Sequence, residues 1–259
     1  MPDSSTTPPL DGRIALVTGA TRGIGRAAAM ALAGAGAQVI ALGRTQGALE
    51  ELDDAIATAG GPRPTLVPID LTEPDGLDAL GGELNRRYGR LDILVHAAAM
   101  LGGLWPVAHV DPRLWDRIVA TNLTATYRLI RSLEPLLRAS DASRAIFLTS
   151  GAAAHPRAFW GAYATTKAGM EAMVRAWADE IEHTSVRAVL LNPGAMRTRM
   201  RAEAFPGEDP ETLPEPAEIG PMIVEIAAAV DLGLPSEVRS FANWKAARAP
   251  ASTSGPPAT

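Results

Sequence analysis

The chain is predicted to be α/β, a single domain built on one parallel sheet with helices on both faces. Short apolar runs alternate with longer segments of helical periodicity along its whole length, the pattern of strands joined by helical crossovers. No internal repeat and no linker-like stretch divides that alternation, so nothing marks a domain boundary.

Residues 13–18 form the first strand, which ends in Gly19, Ala20, Thr21, Arg22, Gly23, Ile24 and Gly25 before an alanine-rich helix over 26–35. Glycines there let backbone amides approach a ligand, and the helix N-terminus attracts an anion, as a pyrophosphate site requires. The spacing is not the G-x-G-x-x-G fingerprint, and a ligand-free glycine turn reads the same way. A second strand over 38–42 closes on Gly43, Arg44 and Thr45. Arg44 and Arg22 offer planar donor forks suited to a 2′-phosphate, although two loop arginines need no ligand. A helix over 46–59 stops at Gly60-Gly61-Pro62, and a third strand over 66–69 delivers Asp70. Pro74 opens the next helix, where a missing amide hydrogen does no harm.

A fourth strand over 91–96 runs into Ala97-Ala98-Ala99, and the loop 100–106 is apolar enough to predict that it covers a cavity. One long helix is predicted over 111–138, with Asn122 on an apolar face where its amide must find partners. The fifth strand, 145–150, ends in Ser150; a helix over 159–182 and a sixth strand over 186–191 follow, closing on Asn192-Pro193-Gly194. Residues 195–216 are rich in charge, Pro and Gly and too long for a routine connection, so they are predicted to be a substrate lid. A last helix over 218–231 and an edge strand over 237–242 complete the domain, 11–245, between disordered tails at 1–10 and 246–259.

The formal charge of −5 and pI of 5.4 argue against a nucleic-acid surface. With no cysteine, disulfides, thiolate nucleophiles and Cys-ligated metals are excluded, and four scattered histidines predict no metal site. No apolar run matches a membrane span and the N-terminal residues do not read as a secretory signal, so a cytoplasmic protein with small ligands is expected.

Tyr163 and Lys167 lie four residues apart on one helix face, which continues through Met170, Val174, Trp177 and Ile181. Taken alone, they are equally a core tyrosine and a snorkelling lysine. Ligands in an open parallel sheet bind outside the strands' carboxyl ends. The glycine turn, Arg44, Asp70, Ala97, Ser150 and the start of the Tyr163 helix all fall there, and that convergence favours a functional site.

Thr18 to Gly25, Asn122, Ser150, Tyr163-Ala164-Thr165-Thr166-Lys167 and Asn192-Pro193-Gly194 with Thr198 resemble the short-chain dehydrogenase/reductase family, in its short, NADP-preferring branch. The likeness runs from about residue 12 to residue 230 and extends, through Trp160, 198–201 and 204–206, to a bacterial subgroup of poorly defined substrate. It implies a Rossmann-type doubly wound sheet, an NADP(H) cofactor and a catalytic set of Asn122, Ser150, Tyr163 and Lys167. It implies cofactor contacts from Gly19, Thr21, Arg22, Gly23, Ile24, Gly25, Arg44, Asp70, Leu71, Ala97, Ala98, Tyr163, Lys167, Pro193, Gly194 and Thr198. Two departures stand out: His96-Ala97-Ala98-Ala99 replaces Asn-Asn-Ala-Gly, removing an amide that braces the turn, and the Gly-Gly after the last strand is missing, which bears on a tetramer contact.

The resemblance implies hydride transfer between NADP(H) and a carbonyl or secondary alcohol, with Tyr163 as general acid/base, Ser150 orienting the substrate oxygen, Lys167 also holding the ribose, and Asn122 holding a water for proton return. One ammonium about 4 Å away supplies the roughly 4 kcal/mol needed to bring a phenol from ~10 to neutrality. Leu101, Leu104, Trp105, Phe159, Trp160, Met196 and Met200 are the expected pocket walls, favouring an apolar or aromatic carbonyl, with Arg197, Arg199 and Arg201 on a solvated lid face. Ala164, Ala168 and Ala172 predict a helix face for a homodimer or homotetramer. Alternatives are a 3-oxoacyl thioester reductase, a non-catalytic NADP(H)-binding regulator, and an epimerase or dehydratase; the last lacks its usual glycine spacing and longer C-terminal region here.

Overall fold

Seven strands pair in the order β3-β2-β1-β4-β5-β6-β7, every pair parallel. They are β1 Ile14–Thr18, β2 Gln38–Gly43, β3 Thr65–Pro68, β4 Ile93–His96, β5 Ser143–Leu148, β6 Val186–Asn192 and β7 Arg239–Ser240. The architecture comes from a computed structural model, which describes residues 7–229 and 237–248. Chain order reverses between β1 and β4, where Thr18 stands level with His96. That reversal opens a crevice at the carboxyl ends.

Alternation along each strand sends side chains to two separate cores. Val17, Val39, Val95 and Ile146 meet α1 (Gly23–Gly34), α2 (Gln46–Thr58) and, later in the chain, the helix at Gly220–Ala228. Leu16, Ile40, Leu94 and Phe147 meet α3 (Pro74–Tyr88), the helix at Ala125–Arg138 and the helix at Gly161–Glu180. Pro74 sits in the first turn of α3 and Gly89 ends it in the left-handed region, φ 71°. No helix among the described residues is long and apolar enough to cross a membrane.

Several boundaries differ from the sequence reading for local reasons. The helix expected over 111–138 is two, α4 (Pro112–Val119) and α5 (Ala125–Arg138), joined by a π-helical turn at Ala120–Thr124. Asn122 sits inside that turn, its amide bonded outside its own helix, to Met100. Ser150 is not in β5 but caps α6 (Gly151–Ala154), its Oγ accepting from Ala152 N. The central helix, α7 (Gly161–Glu180), starts later than expected because Phe159 has φ 73°. The expected edge strand is only two residues long; Ser240 then caps α10 (Phe241–Ala246), which buries Phe241.

The tail expected at 1–10 does not include Leu10, which is fully buried and donates its N–H to Ala35 O. Ala246, the first residue assigned to the other tail, ends α10 instead. Residues 1–6, 249–259 and the end of the helix expected over 218–231 lie outside the described residues; within them that helix is α9 (Gly220–Ala228), preceded by a 3-10 turn at Pro216–Ile219.

Candidate active site

A cleft of about 1560 Å³ opens over the carboxyl ends of the strands. Every residue of the expected cofactor set lines it, from Gly19 to Thr198, together with Ser150. Gly19 takes φ 64°, and a Cβ there would stand 2.9 Å from Ala98 Cα; at Gly25 a Cβ would collide with the Gly19 carbonyl oxygen. Only glycine lets β1, α1 and the β4 loop meet so closely. The N-terminus of α1 has neither a side-chain cap nor an acidic residue in its first turn, so its N–H groups face the cleft without a competing anion. Arg22 and Arg44 flank the same end; Arg44 forms an exposed ion pair with Asp70 at 3.7 Å. Such a pair is weak enough for Arg44 to turn to a phosphate. The glycine cradle, the open helix end and the two guanidiniums fit a phosphorylated dinucleotide.

Tyr163, Lys167 and Ser150 meet at the far end. Burial pushes the Tyr163 phenol up to about 12, against the lowering effect of the nearby Ser150 hydroxyl. Lys167, 3% exposed, donates from Nζ to Leu148 O at 2.7 Å and lies 5.9 Å from the Tyr163 ring centroid. Burial brings its pKa down to about 8 against the opposing charge of Glu171. The ammonium therefore does not bring the phenol toward neutrality as the four-residue spacing suggested, because both groups are desolvated and the amine is turned to a carbonyl. Glu171, which sequence reasoning passed over, is itself buried and held by Thr149 Oγ1 at 2.6 Å and Arg175 at 2.8 Å.

Asn122 does not line the cleft; it lies behind it, 1% exposed. Its Oδ1 accepts from Met100 N at 2.8 Å, and Nδ2 donates to Met100 O at 2.9 Å and Thr166 Oγ1 at 3.0 Å. The amide thus clamps the loop after β4 to α7. Nor is the departure at residues 96–99 a loss of bracing. The His96 ring spans from Thr18 Oγ1, 2.8 Å away, to Thr126 Oγ1, 3.1 Å away, and Thr18 Oγ1 accepts from Ala98 N. Burial, assisted by the Lys167 charge, takes His96 down to about 3, so the ring is neutral.

The expected walls divide. Leu101, Trp160, Met196 and Met200 line the cleft, whereas Trp105 and Phe159 are half-exposed outside it and Leu104 packs on the Leu101–Tyr163 cluster. Phe205, missed as a wall, tilts against Trp160 at 5.8 Å between centroids. The segment 195–216 is folded rather than a bare loop: α8 (Arg199–Ala204) is capped by Thr198, whose Oγ1 accepts from Arg201 N. Arg197 pairs with Glu211 and Glu215, and Arg201 pairs with Glu208 while lying over the Phe205 ring, so only Arg199 keeps the solvated character expected of all three.

The short chain dehydrogenase family model matches residues 13–209. An uncharacterized oxidoreductase of Escherichia coli K12, YciK, is 40% identical over 215 residues, 82% of this chain and 85% of that protein. A short chain dehydrogenase of Salmonella enterica serovar Typhi CT18 superposes with a TM-score of 0.85 at 37% identity, covering 92% of this chain and 98% of that one. A structure from Escherichia coli CFT073, described as a short chain dehydrogenase complexed with NADPH, gives 0.82 at 39% identity, covering 86% and 93%. With a parallel sheet that reverses at β1 and β4, a glycine cradle at that reversal and a matching family model over most of its length, this chain belongs to the short-chain dehydrogenase family.

Proposed function

We propose that the protein is an NADP(H)-dependent oxidoreductase that interconverts a carbonyl compound and its secondary alcohol, with Tyr163 as the proton donor and acceptor. One observation carries this reading: the buried Tyr163 phenol and Ser150 line the same cleft as an open glycine cradle, with Lys167 one helical turn on. The NADPH complex of the related structure supports the choice of cofactor.

The glycine turn and the α1 N-terminus hold the pyrophosphate, Arg22 and Arg44 take the 2′-phosphate, and Pro193, Gly194 and Thr198 border the nicotinamide end. Bound there, the nicotinamide supplies or accepts the hydride. A phenol pushed up to about 12 stays protonated at neutral pH, the form that donates to a carbonyl oxygen. Ser150 orients that oxygen; Lys167, lowered to about 8, holds the ribose hydroxyls and replaces the proton that Tyr163 gives up. Leu101, Trp160, Met200 and Phe205 favour an apolar or aromatic substrate, and residues 195–216 act as its lid.

The test is a panel of aliphatic, aromatic and 3-oxoacyl thioester carbonyls, assayed with NADPH and NADH in wild type and Arg22→Ala/Arg44→Ala. Losing charge-assisted bonds to a phosphate weakens NADPH by about tenfold to a hundredfold and leaves NADH unchanged. NADPH that binds without being oxidised by any carbonyl would make the protein a regulator instead.

A further inference from the structure

His96 is enclosed on all sides, 1% exposed, with its ring set edgewise to Phe147 at 6.1 Å between centroids. Its two nitrogens reach hydroxyls on different elements, Thr18 at the end of β1 and Thr126 on α5. The direction of each bond follows from the partners. Thr126 has one hydroxyl proton, and the Asn122 backbone carbonyl, 3.0 Å from its Oγ1, can only accept it. With the Thr126 proton on that carbonyl, the ring nitrogen facing Thr126 donates, which places the imidazole proton on Nε2. Nδ1 then accepts from the Thr18 hydroxyl, and the Thr18 oxygen accepts from Ala98 N at 3.3 Å. Every donor has an acceptor in this arrangement. The opposite tautomer would leave a buried Nε2 lone pair facing a hydroxyl already committed to a carbonyl, a cost that buried networks avoid.

We infer that His96 is a positioning residue: as the Nε2-protonated tautomer it fixes, through Thr126, the Asn122 carbonyl in the π turn packed against α7, and through Thr18 the Ala97–Met100 loop that lines the cleft. The carbonyl has two lone pairs, so the Thr126 bond sets its direction and leaves one pair for a further donor. The Asn122 side chain clamps Met100 and Thr166 from the same turn, so a rotated carbonyl would disturb both walls of the reacting end. This assignment rests on the oxidoreductase reading for its consequence, not for its geometry.

Two measurements test it. In protein labelled with 15N-histidine, long-range 1H–15N correlations at neutral pH should show the His96 proton on Nε2 and a bare Nδ1. Thr126→Val keeps the side-chain shape and removes both bonds; it should lower kcat by about tenfold while KM and NADPH affinity stay within about twofold, and Thr126→Ser should restore the rate. Thr126→Ala serves if the valine variant does not fold. A proton on Nδ1, or wild-type kcat in a folded Thr126→Val or Thr126→Ala, overturns the inference. If wild type reduces no carbonyl, the proposed function fails, and the ring tautomer still decides the hydrogen-bond assignment.

Discussion

A neutral histidine in a closed core leaves a mark on the pH dependence of stability. Burial holds His96 at about 3 in the folded chain, below the ordinary imidazole value of 6.5, so between those values the unfolded chain binds the extra proton. Stability is therefore intact above the unfolded pKa and falls with pH through that window, by about 1.4 kcal/mol per pH unit for this one group. Asp92, whose carboxylate burial pushes up but hydrogen bonds from Ser140 and Ile14 N, with Arg90 beside it, hold below its ordinary value, adds acid lability of its own. His96→Asn should remove the histidine share alone. Urea unfolding at several pH values should give a shallower loss for the variant below the unfolded pKa; parallel curves would place the ring's protonation elsewhere. The sequence exposed His96 only as a departure from a motif. Its role was illegible because both partners, Thr18 and Thr126, are far from it in the chain and ordinary in type.

Helix α7 shows what periodicity can and cannot deliver. Spacing correctly set Tyr163, Lys167, Met170, Val174 and Trp177 on one buried face, since a helix of this length repeats every 3.6 residues. It assigned Ala164 to a subunit face, but Ala164 is 4% exposed, and the outward row is Thr165, Ala168, Ala172 and Ala176. Small side chains there allow another helix to approach closely, and we expect a dimer through this row. Light scattering should give twice the chain mass and Ala172→Arg should give the chain mass; a wild-type monomer at micromolar concentration would refute the dimer. The π turn could not be read from sequence, because an α-helix and a π-helix share the same apolar spacing over so few residues. Only the tertiary bonds of Asn122 mark the interruption.

At the scale of the whole molecule, the sheet was legible because its strands are apolar on both faces and its helices carry clean stripes. The glycine cradle was legible for the same kind of reason: its sterics are local to β1 and α1. Charge balance at the reacting end was not, since it depends on how deeply Tyr163 and Lys167 are buried and on where the amine turns. The central claim is that a protonated Tyr163 hydroxyl, which lines the cleft with Ser150, delivers the proton to the substrate oxygen. The measurement closest to it is single-turnover oxidation of bound NADPH by a carbonyl that wild type reduces, compared with Tyr163→Phe. We expect the rate to fall by about a hundredfold to ten-thousandfold, with NADPH affinity kept within about twofold. A folded Tyr163→Phe that oxidises bound NADPH at the wild-type rate would contradict the account.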